Sequence, residues 1–136
     1  MVASRSGAVL DTVYPALPPR VAEIRRDVAD VASDFGADEM ALLQINLAVS
    51  EAATNAVLHA YRDDLSAGDV RVLVQHRHDF LDVSICDDGI GMSPRADSPG
   101  MGLGLCLMAH EADSFQIRTR PGGGTEIALR FALRTG

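Results

Sequence analysis

Three polar side chains of different chemistry recur at four-residue steps: Glu51, Asn55 and His59. On an α-helix this spacing stacks them along one stripe, one turn apart. The carboxylate could act as a general base toward water or a hydroxyl group, and the amide oxygen is a hard ligand suited to Mg²⁺. A solvated helix face with a histidine near its C-terminus has the same pattern, and the spacing alone does not separate the two interpretations.

A second candidate site is the segment Asp87-Asp88-Gly89-Ile90-Gly91-Met92, which directly follows an apolar run. An ionised carboxylate at the end of a strand accepts hydrogen bonds, for example from the exocyclic amine of adenine. Gly89 and Gly91 would let the backbone approach a planar ligand closely. An ordinary Asp-Asp-Gly turn is the alternative interpretation.

A third segment, Gly100-Met101-Gly102-Leu103-Gly104-Leu105, opens an expected helix. Free backbone N–H groups at a helix N-terminus bind phosphate, and this needs no lysine. A flexible loop is the alternative. A dinucleotide fingerprint is excluded, because these glycines do not join a strand directly to its helix.

A fourth glycine-rich segment, Gly122-Gly123-Gly124, precedes Thr125 and the last expected strand. It predicts a hairpin turn. The hydroxyl of Thr125 could also reach a ligand or a bridging water.

Composition excludes several kinds of chemistry. All twelve basic residues of this 136-residue chain are Arg, so a P-loop lysine and Schiff-base catalysis are both impossible. The net charge of −7 argues against nucleic acid as a direct partner. The sequence has no 18-residue apolar run and no apolar signal core near its start, so we expect no membrane association and a cytoplasmic location.

Hydrophobic periodicity and turn residues predict the order of elements. We expect an α+β fold, a two-layer sandwich in which helices cover one face of a mixed sheet, with residues 1–136 forming a single domain. The expected elements are a strand over 8–14, helices over about 21–35 and 38–61, a hairpin of strands 70–75 and 80–86, a helix over about 102–112, and a hairpin of strands 114–119 and 125–133.

The four motifs, taken in order, resemble the GHKL superfamily of histidine-kinase-like ATPases. They are Glu51-x-x-x-Asn55, Asp87-x-Gly89-x-Gly91, Gly100-x-Gly102-x-Gly104 and Gly123-Gly124-Thr125. The stretch from Ser50 to Tyr61 is most similar to the branch of anti-sigma-factor serine/threonine-protein kinases. The resemblance covers about residues 18–133, which would be the core of the domain, and implies a Bergerat-type ATP-binding fold.

The resemblance implies a role for each matching residue. Asn55 would bind the Mg²⁺ that carries the ATP phosphates, Glu51 would be the general base for a protein serine, and Asp87 would contact the adenine amine. Arg25 falls where this branch grips its protein partners, although the adjacent Arg26 is equally available. The other nucleotide-binding positions would be His59, Gly89, Gly91, Met92, Gly100, Gly102, Leu103, Gly104, Leu105 and Thr125.

The implied function is that of an anti-sigma regulatory protein, acting as a homodimer, that sequesters a sigma factor and phosphorylates an anti-sigma-factor antagonist on serine. Two alternatives remain. Only seven residues, 93–99, separate Met92 from Gly100, where kinases of this branch carry a longer ATP lid, and this favours a non-catalytic ATP-dependent binding module. The other alternative is a detached catalytic domain of a two-component histidine kinase. It is disfavoured because the expected first helix, from about Pro19 to Phe35, contains no His that could accept a phosphoryl group.

Overall fold

The computed structural model describes residues 8–61, 68–88, 111–121 and 123–133. The elements in chain order are β1 (Ala8–Pro15), α1 (Arg20–Asp34), α2 (Glu39–Ala60), β2 (Asp69–Arg77), β3 (Phe80–Asp87), β4 (Ser114–Thr119) and β5 (Thr125–Ala132). Each matches an expected element to within a few residues. The helix expected from Gly102 lies outside the described residues.

Both helices begin and end where local chemistry predicts. Pro19 precedes α1 at its N-cap, and Gly36, with a φ of 93°, follows its end in the left-handed region that glycine adopts freely. The side chain of Asp38 caps α2 by accepting a hydrogen bond of 2.8 Å from the backbone N–H of Ala41. The start of α2, and hence the position of Glu51 and Asn55 along it, is therefore determined locally.

The strands form one sheet in the order β1-β2-β3-β5-β4. All four pairings among the described strands are antiparallel, so the expectation of a mixed sheet was wrong for this part of the chain. The reason is the connection from β1 to β2, which contains two helices. When one helix connects two neighbouring strands, the second strand runs parallel to the first. Here two successive helices, α1 and α2, lie between β1 and β2, so the chain reverses once more and β2 runs antiparallel to β1.

The hydrophobic core lies between one face of this sheet and the two helices. Alternate residues of the three central strands are buried on that face: Val70, Val72 and Val74 of β2, Leu81, Val83 and Ile85 of β3, and Ile127, Leu129 and Phe131 of β5. α2 packs on these three strands, and α1 packs on β1 and α2. The two-layer α+β architecture is thus confirmed, with both described helices on one face.

In the described part of the chain, α2 is long and apolar enough to cross a membrane, but half of its most apolar window is buried inside the protein. The core helix of a soluble domain meets the same criteria. The packing of α2 against the sheet accounts for the apolar character of its inner side.

Candidate functional site

Two buried polar side chains lie opposite each other at one end of the sheet. Asp87 ends β3 and Thr125 begins β5, and the two are Cα partners in the antiparallel pairing. Both are 2% exposed, and both continue the alternation that buries Ile85 and Ile127 on the helix side of the sheet. A carboxylate and a hydroxyl therefore replace apolar residues at the end of the core face, beneath the helix layer.

α2 brings two more polar side chains to this end of the sheet. His59 is largely buried, and its Nδ1 lies 3.7 Å from Oδ2 of Asp87. Asn55, one turn earlier, is buried as well. The inner face of α2 is rich in alanine, with Ala48, Ala52, Ala53, Ala56 and Ala60 buried. Small side chains allow a helix to lie close to its neighbours, which brings the polar groups of α2 and β3 within reach of each other.

The amide of Asn55 provides an indication that this end of the fold binds something. Its Nδ2 is buried without a hydrogen-bond partner in the structure. A buried polar group left without a partner costs about 1–3 kcal/mol, so such groups are rare in native proteins and call for an explanation. A polar ligand beside Asn55 would supply one.

A tight turn between β4 and β5 holds the backbone of Asp87. Within it, Arg120 donates its backbone N–H to the carbonyl of Gly124 at 3.0 Å, and its Nη1 donates to the carbonyl of Asp87 at 3.1 Å. Gly124 has a φ of 91°, and a Cβ atom there would lie 2.1 Å from the same carbonyl oxygen. Only glycine fits this contact.

Sequence reasoning identified the glycines of this turn but missed Arg120. The turn residues carry a local signal, whereas an arginine at the end of an exposed strand has none. Its role depends on the pairing of β5 with β3, which no local pattern reveals.

The remaining predicted site residues either lie elsewhere on α1 and α2 or fall outside the described ranges. Glu51 is half-buried, one turn before Asn55 on α2, and Arg25 is exposed on α1. The structure therefore brings His59, Asp87 and Thr125 together and places the buried Asn55 one helical turn before His59. The predicted nucleotide-binding positions outside the described residues are Gly89, Gly91, Met92, Gly100, Gly102, Leu103, Gly104 and Leu105.

The donor set fits a magnesium ion carried by a phosphate ligand. Among the described residues, no three His, Cys, Asp or Glu side chains gather into a metal site. Mg²⁺ typically binds through one or two protein oxygens together with phosphates and water. The side-chain oxygen of Asn55 is a suitable ligand of this kind, and its Nδ2, which has no hydrogen-bond partner in the structure, would then have a phosphate or water oxygen to donate to.

A groove of about 490 Å³ lies on the opposite, open face of the sheet, across β2, β3, β5 and β4. Each of its three arginines is ion-paired. Arg130 donates two hydrogen bonds to Asp82 at 2.7 and 3.0 Å, Arg77 lies 3.3 Å from the same carboxylate, and Arg118 pairs with Glu126 at 3.2 Å. We assign no ligand to this groove.

The model of the family described as "Histidine kinase-like ATPase domain" matches residues 14–131. The chain belongs to this family, and the resemblance drawn from its motifs is confirmed.

Curated relatives point to one branch of the family. The chain is 32% identical over 135 residues to the serine-protein kinase RsbW of Bacillus subtilis, covering 88% of this chain and 82% of the relative. It is 30% identical over 122 residues to the anti-sigma F factor of Clostridium acetobutylicum, covering 80% and 84%. The anti-sigma F factor of Pasteuria penetrans is 32% identical over 99 residues, which are 65% of this chain and 66% of that protein.

Solved structures confirm the fold. The RsbU and RsbW domains of Rv1364c from Mycobacterium tuberculosis superpose with a TM-score of 0.68 at 22% identity, over 93% of this chain and 34% of that one. The SiaB–SiaC complex from Pseudomonas aeruginosa gives 0.63 at 15% identity, over 94% and 92%. The catalytic domain of the histidine kinase ThkA gives 0.57 at 13% identity, over 94% and 100%.

Proposed function

We propose that this protein is an ATP-dependent anti-sigma regulatory kinase, which binds Mg-ATP, phosphorylates a serine of an antagonist protein and sequesters a sigma factor. The observation that carries the proposal is the polar cluster formed by Asn55 and His59 on α2 and by the buried Asp87 at the end of β3, in a chain whose relatives are named anti-sigma F factor and serine-protein kinase RsbW. The cluster has the chemistry to bind a nucleotide, and the relatives indicate how that nucleotide is used.

The nucleotide would enter with its base beside Asp87. The buried carboxylate of Asp87 accepts a hydrogen bond from the exocyclic amine of adenine, and Thr125, opposite it in the sheet, supports the same side of the base. Arg120 and Gly124 keep the backbone of Asp87 in place. Asn55 would hold Mg²⁺, which when bound neutralises phosphate charge, and the backbone N–H groups of residues 102–105 would bind the phosphates.

Glu51 would perform the proton transfer. It is half-buried on α2 and lies one turn from Asn55, so its carboxylate would be within reach of both the proposed nucleotide site and the protein surface. There it would accept the proton of a serine hydroxyl while the serine oxygen bonds to the γ-phosphorus, and the bond to the β-phosphate oxygen would break to release ADP.

The partners would be proteins rather than nucleic acid. Arg25 is exposed on α1, and a planar guanidinium that pairs with carboxylates is well suited to a protein interface. We propose that Arg25 binds the sigma factor and the antagonist in turn, and that the protein works as a homodimer in the cytoplasm.

Transfer from radiolabelled ATP tests this function. Purified protein would be incubated with [γ-³²P]ATP and protein fractions of the source organism, and each labelled protein would be identified by mass spectrometry. We expect one small protein labelled on serine. Glu51→Gln should keep its ATP affinity and lose transfer by a factor on the order of 10²–10⁴.

The matched control is Glu39→Gln, since Glu39 is an exposed glutamate on the same helix. This variant should transfer phosphate at the wild-type rate. Equal losses of ATP affinity and of rate in Glu51→Gln would instead make Glu51 a structural or metal-site residue. ATP binding without any labelled protein would favour the non-catalytic module, which the seven-residue segment 93–99 also favours.

A further inference from the structure

The outward side of α2 is apolar. Met40, Leu43, Leu47, Leu58 and Tyr61, which we call the α2 stripe, are between 38% and 67% exposed. Their positions follow the three- and four-residue steps that place residues on one side of a helix. Four of them belong to α2, and Tyr61 directly follows its last residue.

This exposure is unusual because the opposite side of the helix is apolar as well. α2 buries ten residues, nine of them apolar, against the sheet and α1, and the exposed side of such a helix is normally polar. The neighbouring α1 shows the ordinary arrangement, since its exposed residues are polar: Arg25, Arg26, Asp30, Ser33 and Asp34. The stripe consists of two apolar groups, Met40, Leu43 and Leu47 before Glu51 and Leu58 and Tyr61 after it. Exposed apolar side chains grouped on one side of a helix mark a candidate site of interaction.

Glu51 lies within the stripe. The steps from Leu47 to Glu51 and from Glu51 through Thr54 to Leu58 continue the same spacing. At 1.5 Å of rise per residue, Leu47 is about 6 Å and Leu58 about 10 Å from Glu51 along the helix axis. Any protein that brings a hydroxyl group to Glu51 must therefore cover one or both of these leucines.

We propose that the α2 stripe is the docking surface for the protein that receives the phosphate, and that the partner covers it with an apolar surface beside its acceptor serine. This inference rests on the proposed function, because it takes Glu51 as the base that the serine must reach. Burial of the stripe by the partner would exclude water from Glu51 and fix the position of the hydroxyl group.

The charges of α2 favour this occupant over a membrane surface or a second copy of the chain. α2 contains Glu39 and Glu51 but no Arg or Lys, whereas helices that lie on anionic bilayers carry basic residues beside their apolar face. A second copy seated on the stripe would cover Glu51 and exclude the substrate.

Kinetics with the phosphoacceptor found by radiolabelling test the proposal. The double variant Leu47→Gln/Leu58→Gln should raise the KM for that protein at least tenfold, leave kcat within about twofold, and leave the ATP dissociation constant unchanged, because it removes docking and not chemistry. The control is Val13→Gln. Val13 is 57% exposed but belongs to β1 rather than to the helix layer, and its substitution should change none of these values.

An unchanged KM in the double variant, with wild-type transfer intact, would overturn the docking surface and leave the proposed function standing. If the variant instead dissociates a dimer at unchanged KM, the stripe joins two copies and the proposal is wrong. If the wild-type protein phosphorylates no protein, the proposed function fails and the docking surface fails with it. If the double variant melts at a lower temperature than wild type, the single variant Leu43→Gln replaces it in the test, because Leu43 is 53% exposed. A raised KM in Leu43→Gln would support the docking surface, and an unchanged KM would overturn it.

Discussion

The carboxylate of Asp87 lies 3.7 Å from the imidazole of His59, measured from Oδ2 to Nδ1. The contact joins the end of β3 to the last turn of α2. At this distance the two groups interact through charge when the imidazole is protonated but share no direct hydrogen bond. The contact therefore places an imidazole beside the carboxylate that we propose recognises the adenine amine.

Asp87→Asn should weaken ATP binding by about 10–100-fold and reduce the preference for ATP over GTP. The amide has one acceptor where the carboxylate has two, and it turns a donor toward the adenine amine. Titration calorimetry with both nucleotides measures the effect. Asp88→Asn is the control, because its side-chain oxygen can still accept the hydrogen bond from the backbone N–H of Asp69. Equal losses for ATP and GTP would contradict adenine recognition by Asp87.

Asn55→Ala should lower ATP affinity in magnesium buffer and leave it near the wild-type value in EDTA. The substitution removes the proposed magnesium ligand and also the buried amide that has no hydrogen-bond partner in the structure. Thr54→Ala, at the adjacent exposed position, is the control and should behave as wild type in both buffers. The same loss in EDTA as in magnesium would show that Asn55 acts through the fold rather than through the ion.

Gly124→Ala should destabilise the protein and weaken nucleotide binding together. Gly36→Ala provides the comparison, since Gly36 has nearly the same φ, 93° against 91°, but lies at the end of α1. Both variants bear the cost of a left-handed alanine, about 1–2 kcal/mol. Gly124→Ala also forces a Cβ atom against the carbonyl of Asp87, which should cost about 1–3 kcal/mol more. Urea unfolding of both variants measures the difference, and equal losses of stability would contradict the close contact.

Arg25→Glu should cut affinity for the phosphoacceptor protein without changing ATP binding or melting temperature. A charge reversal at a paired interface arginine places like charges together, which can cost several kcal/mol. Arg26→Glu is the comparison, since Arg26 is the adjacent exposed arginine on α1, and a loss of affinity in that variant alone would assign the partner contact to Arg26. Surface plasmon resonance that finds Arg25→Glu as tight as wild type would remove this residue from the interface.

Ionisation of the Tyr14 phenol should lower the free energy of unfolding at high pH. Its burial, and then the hydrogen bond of 2.7 Å that its hydroxyl donates to Asp27, raise the pKa of the phenol. Because the pKa in the folded state exceeds the unfolded value of about 10, the stabilisation is complete below pH 10 and is lost as pH rises through the folded-state pKa.

Urea unfolding between about pH 9 and 11 should therefore show wild type losing stability faster than Tyr14→Phe, by at most about 1.4 kcal/mol per pH unit for one proton. Tyr61→Phe is a control for a partly exposed tyrosine outside the core. Parallel curves for wild type and Tyr14→Phe would show that the Tyr14 phenol is not linked to folding.

Local chemistry made most of the elements predictable. The N-cap at Asp38, the glycine after α1 and the alternation in β2, β3 and β5 each involve residues that are near neighbours in the sequence. Asn55 and Asp87 could be proposed as site residues because their residue types are unusual where they occur. The antiparallel direction of the sheet, the contact of Arg120 with Asp87 and the exposure of the α2 stripe depend on how distant segments pack, and no short pattern encodes that packing.

The position of β5 inside the sheet has a consequence for synthesis of the chain. β5 follows every other described strand in sequence, yet it lies between β3 and β4 and pairs with both. A nascent chain that has not yet emerged from the ribosome beyond residue 125 has Asp87 on an unpaired strand edge and lacks Thr125, so its candidate nucleotide site is incomplete. Nucleotide binding should therefore begin only after β5 has left the ribosome, and any ligand stabilisation would act on a fold that already contains this strand rather than guide its pairing.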